Sequence, residues 1–168
     1  MSSTDLVRLV NEHWLRGMRE SLPVIPAMSE AAIAKVYALE DRILEMPQNM
    51  IVAEHLIHGG VYARTGMIPA GDVATGALVK IPTMIIVQGD VDVFIGDDEP
   101  LRLKGYNVVP AGAGRKQAFV AHTDTYVTML FATDAKTVDE AERAFTDEVE
   151  RLMSNSDPAL NRTTITGE

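Results

Sequence analysis

Ile68-Pro69-Ala70-Gly71 opens a run of turns and short apolar stretches that ends at Phe131. Gly89, Gly105 and Pro110-Ala111-Gly112 punctuate it. Between them lie Met84-Ile85-Ile86-Val87, Val91-Asp92-Val93-Phe94-Ile95, Leu101-Arg102-Leu103 and Tyr126-Val127-Thr128-Met129-Leu130-Phe131. Alternation of apolar and polar residues over such lengths, bounded by Gly, Pro and Asp, predicts strands. Val52 to Ile57 and Val61 to Ile68 read the same way, and Gly96-Asp97-Asp98 is the hairpin turn between Phe94-Ile95 and Leu101-Arg102-Leu103. Many short strands at this spacing predict a closed barrel or a double-sheet jelly roll.

Outside this run the period changes to that of a helix. Ser3 or Thr4 caps a helix carrying Leu6, Val7, Leu9, Val10, Trp14 and Met18, which Pro23 and Pro26 end. Ser29 caps a second helix with the stripe Ala32, Val36, Leu39 and Ile43, flanked by Ile33, Tyr37 and Leu44, up to Pro47. Thr137-Val138-Asp139-Glu140 fits a capping box, followed by Val138, Ala141, Phe145, Val149 and Leu152 at helical spacing. The expected plan is mainly β with flanking helices, in one domain. A helical extension covers 1–50, the barrel 51–134, one C-terminal helix 135–154 and a loose tail 155–168.

The chain has 168 residues, enough for one domain with a sizeable core. At 46% hydrophobic and 23% charged residues it has an ordinary globular composition. The net charge of -9 and the lack of a Lys/Arg cluster argue against nucleic acid as a partner. With no cysteine, disulfides, thiol catalysis and Cys-based zinc sites are excluded. No segment reads as a secretory signal or a membrane span, so a cytoplasmic protein without membrane partners is expected.

The order of turns and strands between residues 52 and 133 resembles the barrel of the cupin family. In that family's first motif a Gly, five residues, a His-x-His pair, a Glu and a closing Gly follow one another. Gly71 and Gly89 match the ends; the pair falls on Ala77 and Val79, and the Glu on Pro82, or on Thr83 if the register slips by one. The second motif is matched by Gly105, Pro110 and Gly112, with a first gap one residue short, and its His position holds Arg115. The resemblance implies a cupin-like jelly-roll barrel and a homodimer paired through the terminal helices. Small stand-alone cupins of this kind also occur in bacteriophage genomes.

The departures carry the chemistry. Ala, Val and Pro side chains cannot coordinate a metal, and arginine stays protonated. Neither a metal nor another cofactor is expected. Strand alternation puts Arg115 on one face with Gln117 and Phe119, and Tyr62 on one face with Arg64. Thr75, Thr83 and Gln88 could add polar contacts. Lys80 and Lys116 should point away, as solvated charges. A buried arginine needs an anionic partner or several acceptors: an internal carboxylate such as Asp72, Glu54 or Asp124 would serve, as would a ligand on which Phe119 or Tyr62 stacks.

His55 and His58 stand three apart on a strand and so face opposite sides, His55 reading as a half-buried histidine bonded to backbone and as a further candidate ligand contact. His122 reads as a surface residue near a turn, Asp90 and Asp92 as the wet face of a strand. No nucleophile elbow, phosphate loop or His-Glu-x-x-His motif is present. The leading expectation is a non-enzymatic, metal-independent protein that binds a small anionic ligand, with sequestration of a nucleotide-type signal as its specific form. The alternatives are a metal-independent isomerase or lyase using His55, His58, Tyr62 or Glu54, and an assembly dimer without ligand.

Overall fold

The computed structural model describes residues 4–5, 23–96 and 99–167. The expected first helix, residues 6–18, and the tip of the Gly96-Asp97-Asp98 turn lie outside the described residues. The strands are β1 (Ala53–His58), β2 (Val61–Ile68), β3 (Val73–Thr75), β4 (Thr83–Phe94), β5 (Leu101–Ala111), β6 (Ala118–Ala121), β7 (Thr125–Ala132) and β8 (Asn161–Thr166). The helices are α1 (Glu30–Leu44), α2 (Val138–Phe145) and the short α3 (Met153–Ser156).

The strands form one curled sheet in the order β3-β6-β4-β7-β2-β1-β8, with β5 on the other side of β4. The long β4 explains the curl. Met84 to Gln88 pair with β7, Val91 to Phe94 pair with β6, and β5 follows β4 along nearly its whole length. The change of partner falls at Gly89. Its φ is 149°, and a Cβ there would stand 2.8 Å from the Thr125 main-chain Cα. The main chain of β7 approaches where only hydrogen fits. Gly89→Ala is expected to destabilise the fold by about 2–3 kcal/mol through overpacking against an immovable backbone, seen as a lower urea midpoint at unchanged m-value.

Alternate residues of β4 and β5 turn inward. Ile85, Val87, Val91, Val93, Leu103 and Val109 form one apolar core with Ile68, Phe119 and Ala121. A second cluster joins Ile57, Tyr62, Val79 and Phe131 to Ala141 and Phe145 of α2 and to Leu152. Ser29 caps α1 as expected, its hydroxyl accepting from Ala32 N–H at 3.1 Å. Only the first half of the α1 stripe is buried, at Ala32 and Val36; Leu39 is exposed. Thr137 caps α2, accepting from Glu140 N–H, while Glu140 reaches back to Lys136 N–H rather than to the cap itself.

Two expectations at the C-terminus are corrected. The single helix over 135–154 is instead α2, a 3-10 turn at Val149–Arg151 and α3, because the backbone turns extended at Thr146. The segment 155–168 is not a loose tail throughout: β8 adds to β1 in parallel, Ala53 opposite Asn161 and His58 opposite Thr166. Its side chains are nearly all exposed, so main-chain hydrogen bonds rather than apolar burial hold it there.

Candidate anion-binding site

Arg115 follows the turn Gly112-Ala113-Gly114, where Gly114 has φ 72°. Its main chain is pinned to Val79: Val79 N–H donates to Arg115 O at 2.8 Å, and Val79 O accepts from Gly114 N–H at 2.8 Å. The side chain is 1% exposed. Nη2 donates to Thr83 Oγ1 at 2.6 Å, and Nη1 to Gly112 O and, at 3.3 Å, to Ile81 O. Nε has no acceptor. Burial pulls the guanidinium down to about 10, still protonated at neutral pH.

No carboxylate among the described residues meets this cation. Each carboxylate considered for it is engaged elsewhere: Asp72 accepts from Asn49, Asp124 from Ala70 N–H, and Glu54 stands beside Arg162. A buried charge held by neutral acceptors is costly. Gln117, two residues on, is also buried and its Nε2 has no acceptor. Phe119 belongs to the apolar core. Thr75 bonds Glu40 and Gln88 is exposed on the outer surface of the sheet, so neither joins Arg115.

Two of the acceptors that hold Arg115, Thr83 and Gly112, also line a groove of about 550 Å³. Its other walls are apolar, with Val24, Val61, Met84, Leu130 and Phe131 among them. The guanidinium therefore stands directly behind one wall of a cleft sized for a small organic molecule.

The residues do not fit a metal. Val79 and Arg115 are paired, and of Pro82 and Thr83 it is Thr83 that touches Arg115. Among the described residues no group of three His, Cys, Asp or Glu side chains could hold a metal ion.

Tyr62, Arg64 and His55 form a second, separate cluster. Tyr62 OH lies 2.8 Å from His55 Nδ1, and His55 Nε2 lies 3.1 Å from Asn161 Oδ1. Asn161 donates its amide N–H to Ser154 O at 2.7 Å, so its oxygen faces His55. Nε2 then carries the proton, and Nδ1 accepts from Tyr62. Arg64 is paired with Glu142 at 2.6 Å, and Ser154 donates to the same carboxylate at 2.6 Å. Burial pushes Tyr62 up to about 12, so its hydroxyl stays protonated at neutral pH. These bonds join β1, β2, α2, α3 and β8; they clamp the C-terminal segment. Glu142, Ser154 and Asn161 were not among the candidate residues. The sequence signal for Glu142 was its place beside Ala141 and Phe145, a carboxylate next to the core stripe of a helix.

Burial holds the His55 pKa below its ordinary value, with Asn161 opposing. Below about pH 6.5 the unfolded chain binds a proton that folded His55 refuses. The associated stability is complete above that pH and lost as the pH falls toward the folded-state value. Urea midpoints between pH 7.5 and 5.5 should fall, and His55→Gln should make the fall shallower.

Lys116 is corrected. Alternation does turn it away from Arg115, but that side is covered by α1. Lys116 is 1% exposed, pairs with Glu40 at 2.6 Å and lies 4.5 Å from the centre of the Tyr37 ring. Burial works to raise the Glu40 pKa, and the hydrogen bonds and charges of Lys116, Thr75 and Arg151 together outweigh it, so the carboxyl is held below its ordinary range. The other surface expectations match the structure: His58 is exposed, His122 meets Asp92 at 2.8 Å, and Arg102 bonds Asp90 at 2.7 Å. Among the described residues no helix is long and apolar enough to cross a membrane.

No family model matches the chain, and no curated protein matches it. Among solved structures it is similar to a cupin superfamily protein from Desulfitobacterium hafniense, at 17% identity and a TM-score of 0.42, over 55% of this chain and 86% of that one. KdgF from a Halomonas species shows 20% identity and a TM-score of 0.43, over 57% and 89%. A double-stranded β-helix protein from Klebsiella pneumoniae shows 13% identity and a TM-score of 0.43, over 54% and 80%. Many of the solved structures that this chain resembles are cupin or double-stranded β-helix proteins, and the likeness is one of fold.

Proposed function

We propose that this chain binds a small organic anion at Arg115 and holds it without transforming it. One observation carries the reading: a buried guanidinium has neutral acceptors alone among the described residues, with its Nε and the neighbouring Gln117 Nε2 unfilled. A carboxylate or phosphate supplies acceptors for such donors and neutralises the charge. The anion reaches the guanidinium by replacing Thr83 Oγ1 and Gly112 O, which border the groove.

The apolar walls call for an apolar body behind the anionic head, and a single cation suits one carboxylate or one phosphate monoester better than a polyphosphate. The contacts of Arg115 are a hydroxyl and two main-chain carbonyls, with no acid or base to move a proton near neutral pH; this favours holding over turnover. Capture of a nucleotide-type signal is the specific form in which the head is a nucleoside monophosphate. Calorimetric titration with hexanoate, benzoate, inorganic phosphate and a nucleoside monophosphate tests the reading. Saturable one-to-one binding of at least one of these is expected. Failure of all of them, or chemical conversion of the bound one, would overturn it.

A further inference from the structure

Residues 112, 114 and 116, on either side of Arg115, are each tied to the N-terminal arm of the chain. Gly112 N–H donates to Ile25 O at 2.8 Å, Met28 N–H donates to Gly114 O at 2.9 Å, and Lys116 Nζ meets Glu40 of α1 at 2.6 Å. The strap 24–28 lies close against the turn: a Cβ on Gly112 would meet Ala27 N at 3.2 Å and Pro26 C at 3.5 Å. Val24, at the start of the strap, lines the groove.

This arm is anchored unevenly. Ile25 is fully buried in the apolar core, and its N–H donates to Pro110 O at 3.0 Å. Beyond it Pro26, Ala27 and Ser29 are exposed, and α1 buries Ala32 and Val36 alone. The rest of its attachment is polar: Glu40 meets Lys116, Thr75 and Arg151, and Tyr37 donates to Glu148. Polar contacts exchange for contacts with water at small net cost. The arm from Pro26 onward therefore lifts more readily than Ile25 does.

We propose, on the reading that an anion binds at Arg115, that its capture unseats the arm from Met28 onward, with Ile25 as the pivot. The incoming head replaces Gly112 O on the guanidinium, so that carbonyl has to move aside. Its turn has the strap packed against it, and the turn gives way only if the strap does. Gly114 O is then drawn from Met28 N–H, the bond next to the Ser29 cap of α1. The coupling is reciprocal: whatever loosens the arm tightens the anion by the same factor. Occupancy of a buried site is thereby reported at the surface, by a helix. A protein that holds its ligand without transforming it acts in this way as a sensor rather than a store.

Residue-resolved amide exchange of the full chain tests this, with hexanoate as the probe and calorimetry on the same samples to register its binding. In hexanoate-saturated wild type the amides of Met28 and Ile33 should exchange about fivefold faster or more, while that of Ile25 stays protected. Arg115→Met takes the donor from Gly112 O with no ligand present, and should quicken the same two amides. Ser29 lies outside the groove; Ser29→Ala removes the α1 cap and should tighten hexanoate about fivefold. Hexanoate bound with Met28 exchange unchanged or slowed would overturn the proposal and leave the binding reading standing. Absence of any binding heat from hexanoate counts against the binding reading instead. Arg115→Met reports on the link without ligand, and unchanged Met28 exchange in that variant would overturn it.

Discussion

Glu142→Ala should destabilise the protein by about 3–5 kcal/mol, the usual cost of removing one partner of a buried ion pair. The carboxylate is 3% exposed and takes three donors: Arg64 Nη1 at 2.6 Å, Ser154 Oγ at 2.6 Å and Asn155 Nδ2 at 3.1 Å. Alanine leaves the guanidinium of Arg64, largely shielded from water, with no counter-charge. It also frees Ser154, whose carbonyl holds Asn161 and through it the start of β8. For a chain of this size the loss corresponds to a melting temperature lower by about 10 °C. Amide exchange in β8 should quicken before that of β4, since β8 depends on main-chain bonds and on this clamp. Glu142→Gln keeps the acceptor oxygen and loses only the charge, so its effect should be smaller. A loss under 1 kcal/mol for the alanine variant would mean that Arg64 is stabilised by water rather than by Glu142.

Arg115→Met should behave in the opposite way. It exchanges a buried, anion-less cation for an apolar side chain of similar length. Such exchanges are neutral or stabilising when the charge was poorly compensated. Against this gain, Thr83 Oγ1, Gly112 O and Ile81 O each lose a donor, at about 1 kcal/mol apiece. The two effects nearly cancel, so the ligand-free variant should match the wild type to within about 1–2 kcal/mol. The ligand-linked part should vanish altogether. An anion at a hundred times its dissociation constant stabilises the wild type by about 2.7 kcal/mol, and should leave Arg115→Met unchanged. Denaturant melts with and without the best-binding anion distinguish the cases. A loss above about 3 kcal/mol in the ligand-free variant would make Arg115 an internal anchor comparable to Arg64.

The contrast between these two arginines shows what could be read from residues alone. Strand alternation put Arg115 on one face with Gln117 and Phe119 and Arg64 on one face with Tyr62, and the structure shields both guanidiniums from most solvent. Which one has an internal carboxylate could not be read, because the partner of Arg64 lies on α2, far along the chain. Gly89, Gly105 and Pro110 stood out in the sequence, but as turns between short strands, whereas they lie within the continuous β4 and β5; Gly89 marks the change of partner along β4 and Gly105 takes φ 70°. Lys116 was misread for a geometric reason. Facing away from Arg115 means facing water only in a sheet with one covered side, and here α1 covers the other. β8 escaped notice because its pairing with β1 uses main-chain bonds and leaves its polar side chains exposed, so no apolar pattern marks it.

The groove beside Arg115 escaped for a related reason. Val24, Met84 and Leu130 come from distant segments, and Met84 meets Leu130 through the pairing of β4 with β7. Sequence spacing carried the cation and its neighbour Gln117, and the fold supplied the cleft.

The most direct measurement is a crystal structure of the protein grown with the anion that binds most tightly in the calorimetric panel. The predicted result is a carboxylate or phosphate within hydrogen-bonding distance of Arg115 Nε and Gln117 Nε2, with its apolar part along Val61, Met84 and Phe131. An anion bound elsewhere, with Arg115 still held by Thr83, Gly112 and Ile81 and its Nε unfilled, would contradict the account.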